Sequence, residues 1–534
     1  MSYELERLVD EGTTGWPTAE EMTRRVGRLL TMERARYARL WAYYANPMRV
    51  CPADVDQRGS DRPYRQGQEW GLPSRITGVL PGRLDGASQR IDGVLRKEVV
   101  IENDIGWRVD TGVDYLFGRP LAIRSTAPDP ARAATITRLL EAILAHNGGV
   151  TFLQQLALTS SVYGFVDVLV KLNQPNAGPA APTMEGTSAV ADSEDDPAGA
   201  GASNCSPEAV LTSLARSVRL EIVEPTRALP FLSSDDWRVI HGYAQGYQVM
   251  RGESTRAEEP AGESSWRSIL RRSARLLTGR PRATEREPSS VTVVEVITAH
   301  RWQRYEDERL VAQGDNALGQ LPLVHIQNTA VPFAYAGTSD VEPLIGLQDE
   351  LNTRLSDRAN RIALQSFKMY LGKGVEHFND MPVAPGRMWA TDNEQADVIE
   401  FGGDANCPSE VAHIQDVREA MDKVSSVTPI AAGAIKGRIG RLTSAAALRI
   451  TLLSLLSKTE KKRTSHGQGL ARMLELSLAW LDRAGLFATG PDERGVELNW
   501  SSPLPQNDIE KLQEAQMKAA LGVAKEVVLA ELGY

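Results

Sequence analysis

The order of elements in the second half of the chain most constrains what it can fold into. Leucines recur at steps of three and four and predict a helix over 341–366, a rod of roughly 39 Å. Short apolar runs broken by turn residues fill 367–407, and a second helix is predicted over 408–427. A glycine-rich segment, 428–442, and a long leucine-rich helix, 443–484, follow. This order is difficult to build as one compact enzyme domain.

The chain before this region has a mixed character. Residues 1–50 predict an N-terminal helical arm, because Thr18 and Glu21 have capping-box spacing and a proline-free run follows. Its arginines and leucines favour a solvated amphipathic helix over a basic arm for nucleic acid. Residues 51–340 alternate helical and strand-like patterns, with a packed helical segment expected over 91–123. We therefore expect an α+β fold.

Two stretches of 51–340 are expected to be flexible insertions. Residues 174–207 are dominated by proline, alanine, glycine and serine, and cannot bury enough apolar surface to offset the entropy of ordering. Residues 251–288 contain an arginine-rich part, 266–286, with seven arginines against one acid. A solvated surface excursion is favoured there, while nucleic-acid, membrane-surface and calmodulin-like helices share the same pattern.

Composition narrows the class of protein. The 534 residues hold 69 acidic and 60 basic side chains, a formal net charge of −9, which argues against a sequence-independent nucleic-acid coat. Three separated cysteines, Cys51, Cys205 and Cys407, cannot form a disulfide framework. No stretch is apolar enough to span a bilayer, and the acidic start is unlike a signal peptide. We expect a soluble, multidomain protein of a reducing compartment, with no membrane partner.

A search for catalytic motifs finds none. A GxxxxGK[ST] phosphate loop and a GxSxG nucleophile motif are both missing from the sequence. The seven histidines are isolated and form no HExxH or i,i+4 pair. We therefore predict no catalytic residue, no metal and no cofactor. A metal-dependent nuclease remains the alternative, because its ligands can be distant in sequence.

Four passages occur in an order that resembles a known family. They are DTGVDYLFGRP at 110–120, RLEIVEP at 219–225 with 228–236, LPLVHIQN at 321–328 with GTSDVEPLI at 337–345, and 443–447 leading to the basic run 458–463. The third passage continues with Leu351-Asn352, Leu355-Ser356-Asp357 and Asn360, and is the most specific. Together they resemble the portal proteins, or head-to-tail connectors, of tailed double-stranded DNA bacteriophages, in the subfamily of the long-tailed phages.

The resemblance implies a structural protein, not an enzyme. It implies a ring-shaped homo-oligomer, typically a dodecamer, at one capsid vertex of the virion, assembled in the host cytoplasm. A terminase large subunit packages DNA through it, DNA leaves through it at ejection, and a head-tail adaptor and tail proteins attach to it, beside the major capsid and scaffolding proteins. The implied parts are an α/β wing (51–340), a two-helix stem (341–366 and 408–427), a small β-rich clip (367–407), a tunnel loop (428–442), a helix returning to the wing (443–484) and a small helical crown (485–534).

Charges suggest how such a channel treats DNA. The tunnel-loop segment carries three cations and no acid, Lys436, Arg438 and Arg441, among the flexible glycines Gly433, Gly437 and Gly440. The stem segments with their capping residue carry nine acids against five bases. Six of those acids are expected to line the channel and repel the duplex: Asp349, Glu350, Asp357, Asp416, Glu419 and Asp422. The tunnel-loop residues are alternatively ordinary loop residues near a subunit contact.

Two other functional classes stay open at this point. One is an enzyme, either the nuclease or a capsid-processing hydrolase with a site not visible in the sequence. The other is a membrane-surface scaffold that uses residues 266–286. The two predicted insertions, 174–207 and 251–288, are not part of the portal family pattern.

Overall fold

The computed structural model describes most of the chain, with gaps. The described residues are 18–50, 64–79, 96–172, 207–233, 236, 238–250, 290–365, 369–374, 394–401, 407–432, 449–504, 508–523, 525 and 528. The arginine-rich stretch, the first insertion up to residue 206 and all six predicted tunnel-loop residues lie outside this part.

The described secondary structure mixes helices and strands, which confirms the α+β class. The helices are α1 Ala19–Ala45, α2 Ser74–Thr77, α3 Asp104–Phe117, α4 Pro130–His146, α5 Val150–Tyr163, α6 Pro207–Ser217, α7 Ile345–Gln365, α8 Pro408–Ser425, α9 Leu453–Arg483 and α10 Asp508–Ala520. The strands are β1 Met48–Val50, β2 Tyr64–Gln66, β3 Leu121–Ser125, β4 Phe165–Leu172, β5 Val218–Val223, β6 Ala228–Leu232, β7 Ile240–Met250, β8 Ser290–Thr298, β9 Arg301–Glu306, β10 Arg309–Asp315, β11 Leu323–Gln327, β12 Met369–Lys373, β13 Asp397–Phe401 and β14 Val496–Trp500.

Helix α1 is amphipathic and packs on the body of the protein. It begins at Thr18, whose side chain accepts a hydrogen bond from the Glu21 N–H at 3.3 Å, as the capping pattern predicts. Its N-terminal half buries Met22 and Val26 against the sheet that contains β8. Its C-terminal half buries Leu40 and Tyr43 in the cluster shared with α3, α5, α7 and α8. The helix therefore joins two parts of the core.

Two antiparallel sheets organise the middle of the chain. One has the strand order β10-β9-β8-β7-β6, and the other has the order β11-β4-β5. Strand β4 is central in the second sheet and buried along most of its length. Helices α4 and α5 and the C-terminal half of α9 cover this sheet and share its largest hydrophobic cluster. The long helix is thus anchored in the region predicted as the wing.

Two predicted boundaries change in the structure, and one helix was not predicted. Within 96–123, the described part of the segment expected to be helical, α3 is the helix, because residues 96–103 are not helical and Asn103 caps the helix by accepting from the Gly106 N–H at 3.1 Å. Helix α6 follows the first insertion and carries no strong sequence signal. Residues 496–500, predicted with the crown, pair instead with β3 in the region predicted as the wing, because the alternating apolar side chains of β14 pack on the core there. Within the described part, α10 is the helix that remains of the predicted crown.

The C-terminal helices keep the predicted order. A 3₁₀ turn, Glu342–Leu344, leads into α7, and the antiparallel pair β12–β13 lies between α7 and α8. Helix α9 is described from Leu453 and runs unbroken past Gly467 and Gly469. A Cβ at Gly469 would overlap the Ile326 side chain, so this glycine permits close packing of α9 on β11. Among the described helices, none is both long enough and apolar enough to cross a membrane.

Candidate functional site

Helix α7 holds an extended segment of the chain through a row of polar side chains. We call this row the side-chain ladder, and its members are Gln348, Asn352, Ser356 and Asn360. At its exposed end, Asn360 accepts from the Glu98 N–H at 3.0 Å and donates to the Glu98 carbonyl at 2.9 Å. One step along, Ser356 Oγ accepts from the Val100 N–H at 3.0 Å. The helix side chains thus take the place of a neighbouring strand.

The other end of the ladder is fully buried. Asn352 Oδ1 accepts from the Glu102 N–H at 3.1 Å, and Asn352 Nδ2 donates to Gln68 Oε1 at 2.9 Å. Gln348 donates to the Glu102 carbonyl at 2.6 Å and accepts from the Ile105 N–H at 3.1 Å. Four residues of a helix advance about 6 Å, and two residues of an extended chain advance about 6.6 Å. Every fourth residue of α7 therefore lies opposite every second residue of the extended segment.

The ladder explains why polar residues recur every four positions in this sequence passage. Asn352, Ser356 and Asn360 are the polar positions of the most specific sequence passage, and the first two are fully buried. The leucine period alone places them on the solvent side of the helix. Their spacing of four is the one signal that could have identified them. The motif therefore holds the fold together at α7 and carries no catalytic group.

A buried charge cluster joins the start of α7 to α9. Lys458 lies 2.9 Å from the Asp340 carboxylate, and Lys462 also contacts it. Lys462 is 3% exposed and donates to Ser161 Oγ at 3.0 Å, on α5. Burial raises the pKa of Asp340, but the two lysines outweigh this and hold the pKa well below its usual range. The basic run 458–463 is therefore partly structural.

A buried serine–histidine pair lies beside this cluster. Ser160 Oγ is 2.9 Å from His466 Nε2, and His466 Nδ1 is 2.8 Å from the Lys462 carbonyl. Burial, and then the charge of Lys462, lower the pKa of His466 to about 4, so the ring is neutral near pH 7. The neutral tautomer donates from Nδ1 and accepts at Nε2. Ser160 is fully buried, so no substrate reaches this pair in the folded chain.

Acidification is expected to destabilise the fold through His466. Its folded pKa lies below the unfolded value of about 6.5, so the unfolded chain binds the proton first and stability falls between pH 6.5 and 4. The expected loss is about 3 kcal/mol. Hydrogen exchange of α9 amides across this pH range measures it. His466→Gln should flatten the loss, whereas His146→Gln, at an exposed position, should leave it unchanged.

A second buried network surrounds Asp167 on β4. Its carboxylate accepts from the hydroxyl groups of Tyr243 and Tyr335, both at 2.8 Å. His325 Nδ1 lies 2.7 Å from the same carboxylate. The network joins the two sheets and the 329–338 loop, because its members come from all three. Asp167 is fully buried, so the network is closed to substrates. In the part of the chain that the structure describes, no group of histidines, cysteines and acids has an arrangement that could hold a metal ion.

Four of the six predicted channel acids already have partners within the subunit. Asp349 accepts from the Tyr43 hydroxyl at 2.6 Å, and burial raises its pKa. Glu350 bonds to Arg354 at 2.7 Å and to His413 of α8 at 3.0 Å, so it links the two helices. These carboxylates hold the subunit together as well as carrying charge.

The remaining acids divide between paired and exposed positions. Asp357 pairs with Arg75 at 2.9 Å, and Asp422 pairs with Arg108 at 2.7 Å. Both arginines lie far from the stem in sequence, which is why the pairing was not foreseen. The last two acids, Asp416 and Glu419, are exposed on α8; Glu419 accepts from Gln415 at 3.1 Å. Of the six predicted residues, these two are the most open to solvent.

This chain is similar to one protein family and to several solved structures. A family model described as "Phage portal protein, SPP1 Gp6-like" matches residues 282–533, just under half of the chain. No curated protein sequence matches this chain.

Solved structures give weaker likenesses. "Neck of empty GTA particle computed with C6 symmetry" is 13% identical with a TM-score of 0.40, covering 79% of this chain and 87% of that chain. "Virion of native gene transfer agent (GTA) particle" is 14% identical with a TM-score of 0.37, covering 79% and 86%. At these values the likenesses do not define how this chain assembles.

Proposed function

We propose that this chain, which matches a phage portal protein family model over residues 282–533, forms a ring-shaped channel at one capsid vertex. In this proposal the ring is a dodecamer in the virion, assembled in the host cytoplasm. A separate terminase hydrolyses ATP and drives double-stranded DNA inward through the ring. DNA leaves by the same route at ejection, and the adaptor and tail proteins attach there.

The observation that carries the proposal is the element order within the matched region. Helix α7, the β12–β13 pair, α8 and α9 follow one another, and His413 and Glu350 link the two shorter helices at 3.0 Å. Helix α9 then returns to the sheet of the wing through β11. Two linked helices with a small sheet between them suit the wall and outer mouth of a tube.

We assign the parts of the ring on this basis. The wing comprises 51–340 with β14, the stem 341–366 and 408–427, the clip 367–407, the tunnel loop 428–442, the returning helix 443–484 and the crown the residues from 508 onward. The clip is the proposed docking surface for the terminase. The role of the chain is structural throughout.

The acids that face DNA are proposed to be Asp416 and Glu419. Both are exposed, and neither pairs with a base in the described part of the chain. The other four predicted acids have compensated or hydrogen-bonded carboxylates, so they contribute less repulsion. Uncompensated negative charge along the stem weakens phosphate binding and lets the duplex slide.

Electron microscopy of the purified full-length chain tests the assembly. The expected result is a ring with an axial hole wide enough for duplex DNA. A stable monomer at micromolar concentration would contradict the proposal.

Removing the tunnel-loop cations is expected to impair DNA handling without affecting assembly. Lys436, Arg438 and Arg441 are changed together to alanine. Rings should still form, because the stem and wing contacts are untouched, while packaging or retention of DNA should fall well below the unchanged protein. Packaging in an in vitro or complementation assay measures this. The control changes three exposed wing arginines, Arg124, Arg138 and Arg216, and should package normally. Normal packaging by the tunnel-loop variant would exclude the assignment.

A further inference from the structure

A polar cleft lies between the C-terminus of α8 and the start of α9. Its volume is about 420 Å³, and it opens to solvent beside the charge cluster of Asp340. Its wall includes five side chains with hydroxyl groups and one lysine: Thr329, Thr338, Ser426, Ser454, Ser457 and Lys461. The cleft is separate from the side-chain ladder and from the network around Asp167.

The cleft offers donors that have no partner. In the part of the chain that the structure describes, the five hydroxyl groups of this set make no hydrogen bond and Lys461 makes no ion pair. Ser454, Ser457 and Lys461 are exposed and, with Lys458, share one face of α9 at helical spacing. Five hydroxyl groups and a free ammonium group therefore point to one small volume.

The charge of the cleft is positive. Asp340 lies at its floor but is bound by both Lys458 and Lys462. The cluster of one acid and two lysines carries one net positive charge, and Lys461 adds a second. A ligand that satisfies hydroxyl donors and two positive charges is an anion rich in acceptor oxygens, which describes a phosphate group.

The position of the cleft relates it to DNA. Ser426 lies two residues before the tunnel-loop segment 428–442, and Ser454 lies more than one helical turn after the described chain resumes at Arg449. The N-terminal end of that segment therefore begins beside the cleft. We propose that this cleft binds a backbone phosphate of the duplex at the base of the tunnel loop, with Lys461 as its principal cation. This inference rests on the proposed function, since it requires DNA in the channel.

The residues of the basic run 458–463 have two different roles. Lys458 and Lys462 hold Asp340, and Arg463 donates to the Ser501 carbonyl at 2.7 Å. Lys458 and Lys461 both line the cleft, and of these two Lys461 makes no ion pair within the described residues. The run thus combines fold-stabilising residues with one phosphate-binding residue.

The first test uses inorganic phosphate and the full-length chain. Calorimetric or ³¹P titration should detect phosphate binding that weakens at least fivefold in Lys461→Ala and also weakens in Ser457→Ala. Arg138→Ala removes one exposed charge elsewhere and should leave binding unchanged. Equal binding by Lys461→Ala and the unchanged protein would overturn the site, whether or not rings form.

The second test asks whether the phosphate belongs to DNA. Duplex binding by purified rings is measured from 50 to 200 mM salt. Each lost phosphate contact lowers the slope of log K against log salt by about 0.9, a change of about 3.5-fold over this range. Lys461→Ala should show a shallower slope, and Arg138→Ala should not. A slope unchanged by Lys461→Ala would overturn the DNA assignment, whereas failure to form rings would overturn the proposed function instead.

Discussion

Asp340→Asn is expected to destabilise the folded chain by about 3–5 kcal/mol. The substitution leaves Lys462, which is 3% exposed, without its carboxylate partner in the protein interior. Breaking a buried ion pair on one side costs this much because the remaining charge stays desolvated. Lys462 can escape by losing its proton, which costs about 1.4 kcal/mol for each pH unit below its ordinary pKa of about 10.4 and limits the total near 5 kcal/mol at pH 7.

Hydrogen exchange of α9 amides in the full-length chain measures this loss locally. The penalty should shrink as pH rises towards 10, because the unpaired Lys462 has a lowered pKa and the unfolded chain also loses its proton there. Replacing both partners, Asp340→Asn with Lys462→Met, should recover at least about 2 kcal/mol. The control Glu224→Gln breaks an exposed pair with Arg227 and should cost at most about 0.5 kcal/mol. A penalty that is independent of pH would contradict the mechanism.

Local sequence signals predicted the helices well, and the reason is physical. The start of α1 depends on two residues three apart, Thr18 and Glu21. Helices α7, α8 and α9 follow from the spacing of apolar residues within each segment. The antiparallel pair β12–β13 follows from short apolar runs between turn residues. All these features depend on neighbours along the chain.

Long-range partners could not be predicted in the same way. The ladder joins Asn352 to Glu102 across 250 positions, and β14 joins β3 across more. Three of the predicted channel acids are bound by residues far from the stem in sequence, namely Tyr43, Arg75 and Arg108. A count of charges in the stem therefore overstates its free acidity. The fold decides which carboxylates remain available to DNA.

The net charge of −9 conceals three kinds of charged residue. Some pairs, such as Asp340 with Lys462, are buried and stabilise the fold. Others, such as Glu350 with His413, link neighbouring helices near the surface. Asp416, Glu419 and Lys461 lie exposed without such pairing in the described residues. The proposed handling of DNA depends on this last group, which sequence composition alone does not separate from the others.

Asn352→Leu is expected to cost about 3–5 kcal/mol and to release the extended segment 96–103. Asn352 is fully buried, and its loss leaves the Glu102 N–H and Gln68 Oε1 unsatisfied inside the protein. Each such group costs about 1–3 kcal/mol. Leucine has the same branched shape and number of side-chain heavy atoms as asparagine, and its better helix propensity acts against the loss, so a lower stability reports the lost hydrogen bonds.

The same substitution at the exposed end of the ladder is the matched control. Asn360 makes two hydrogen bonds to Glu98, but water replaces them when they are lost, so Asn360→Leu should cost about 1 kcal/mol or less. Hydrogen exchange at α7 measures the stability of both variants. Trypsin cleavage after Lys97 reports release of the segment and should accelerate strongly only in Asn352→Leu. Equal costs at the two positions would show that burial of the ladder does not determine its strength, because the two asparagines differ chiefly in exposure.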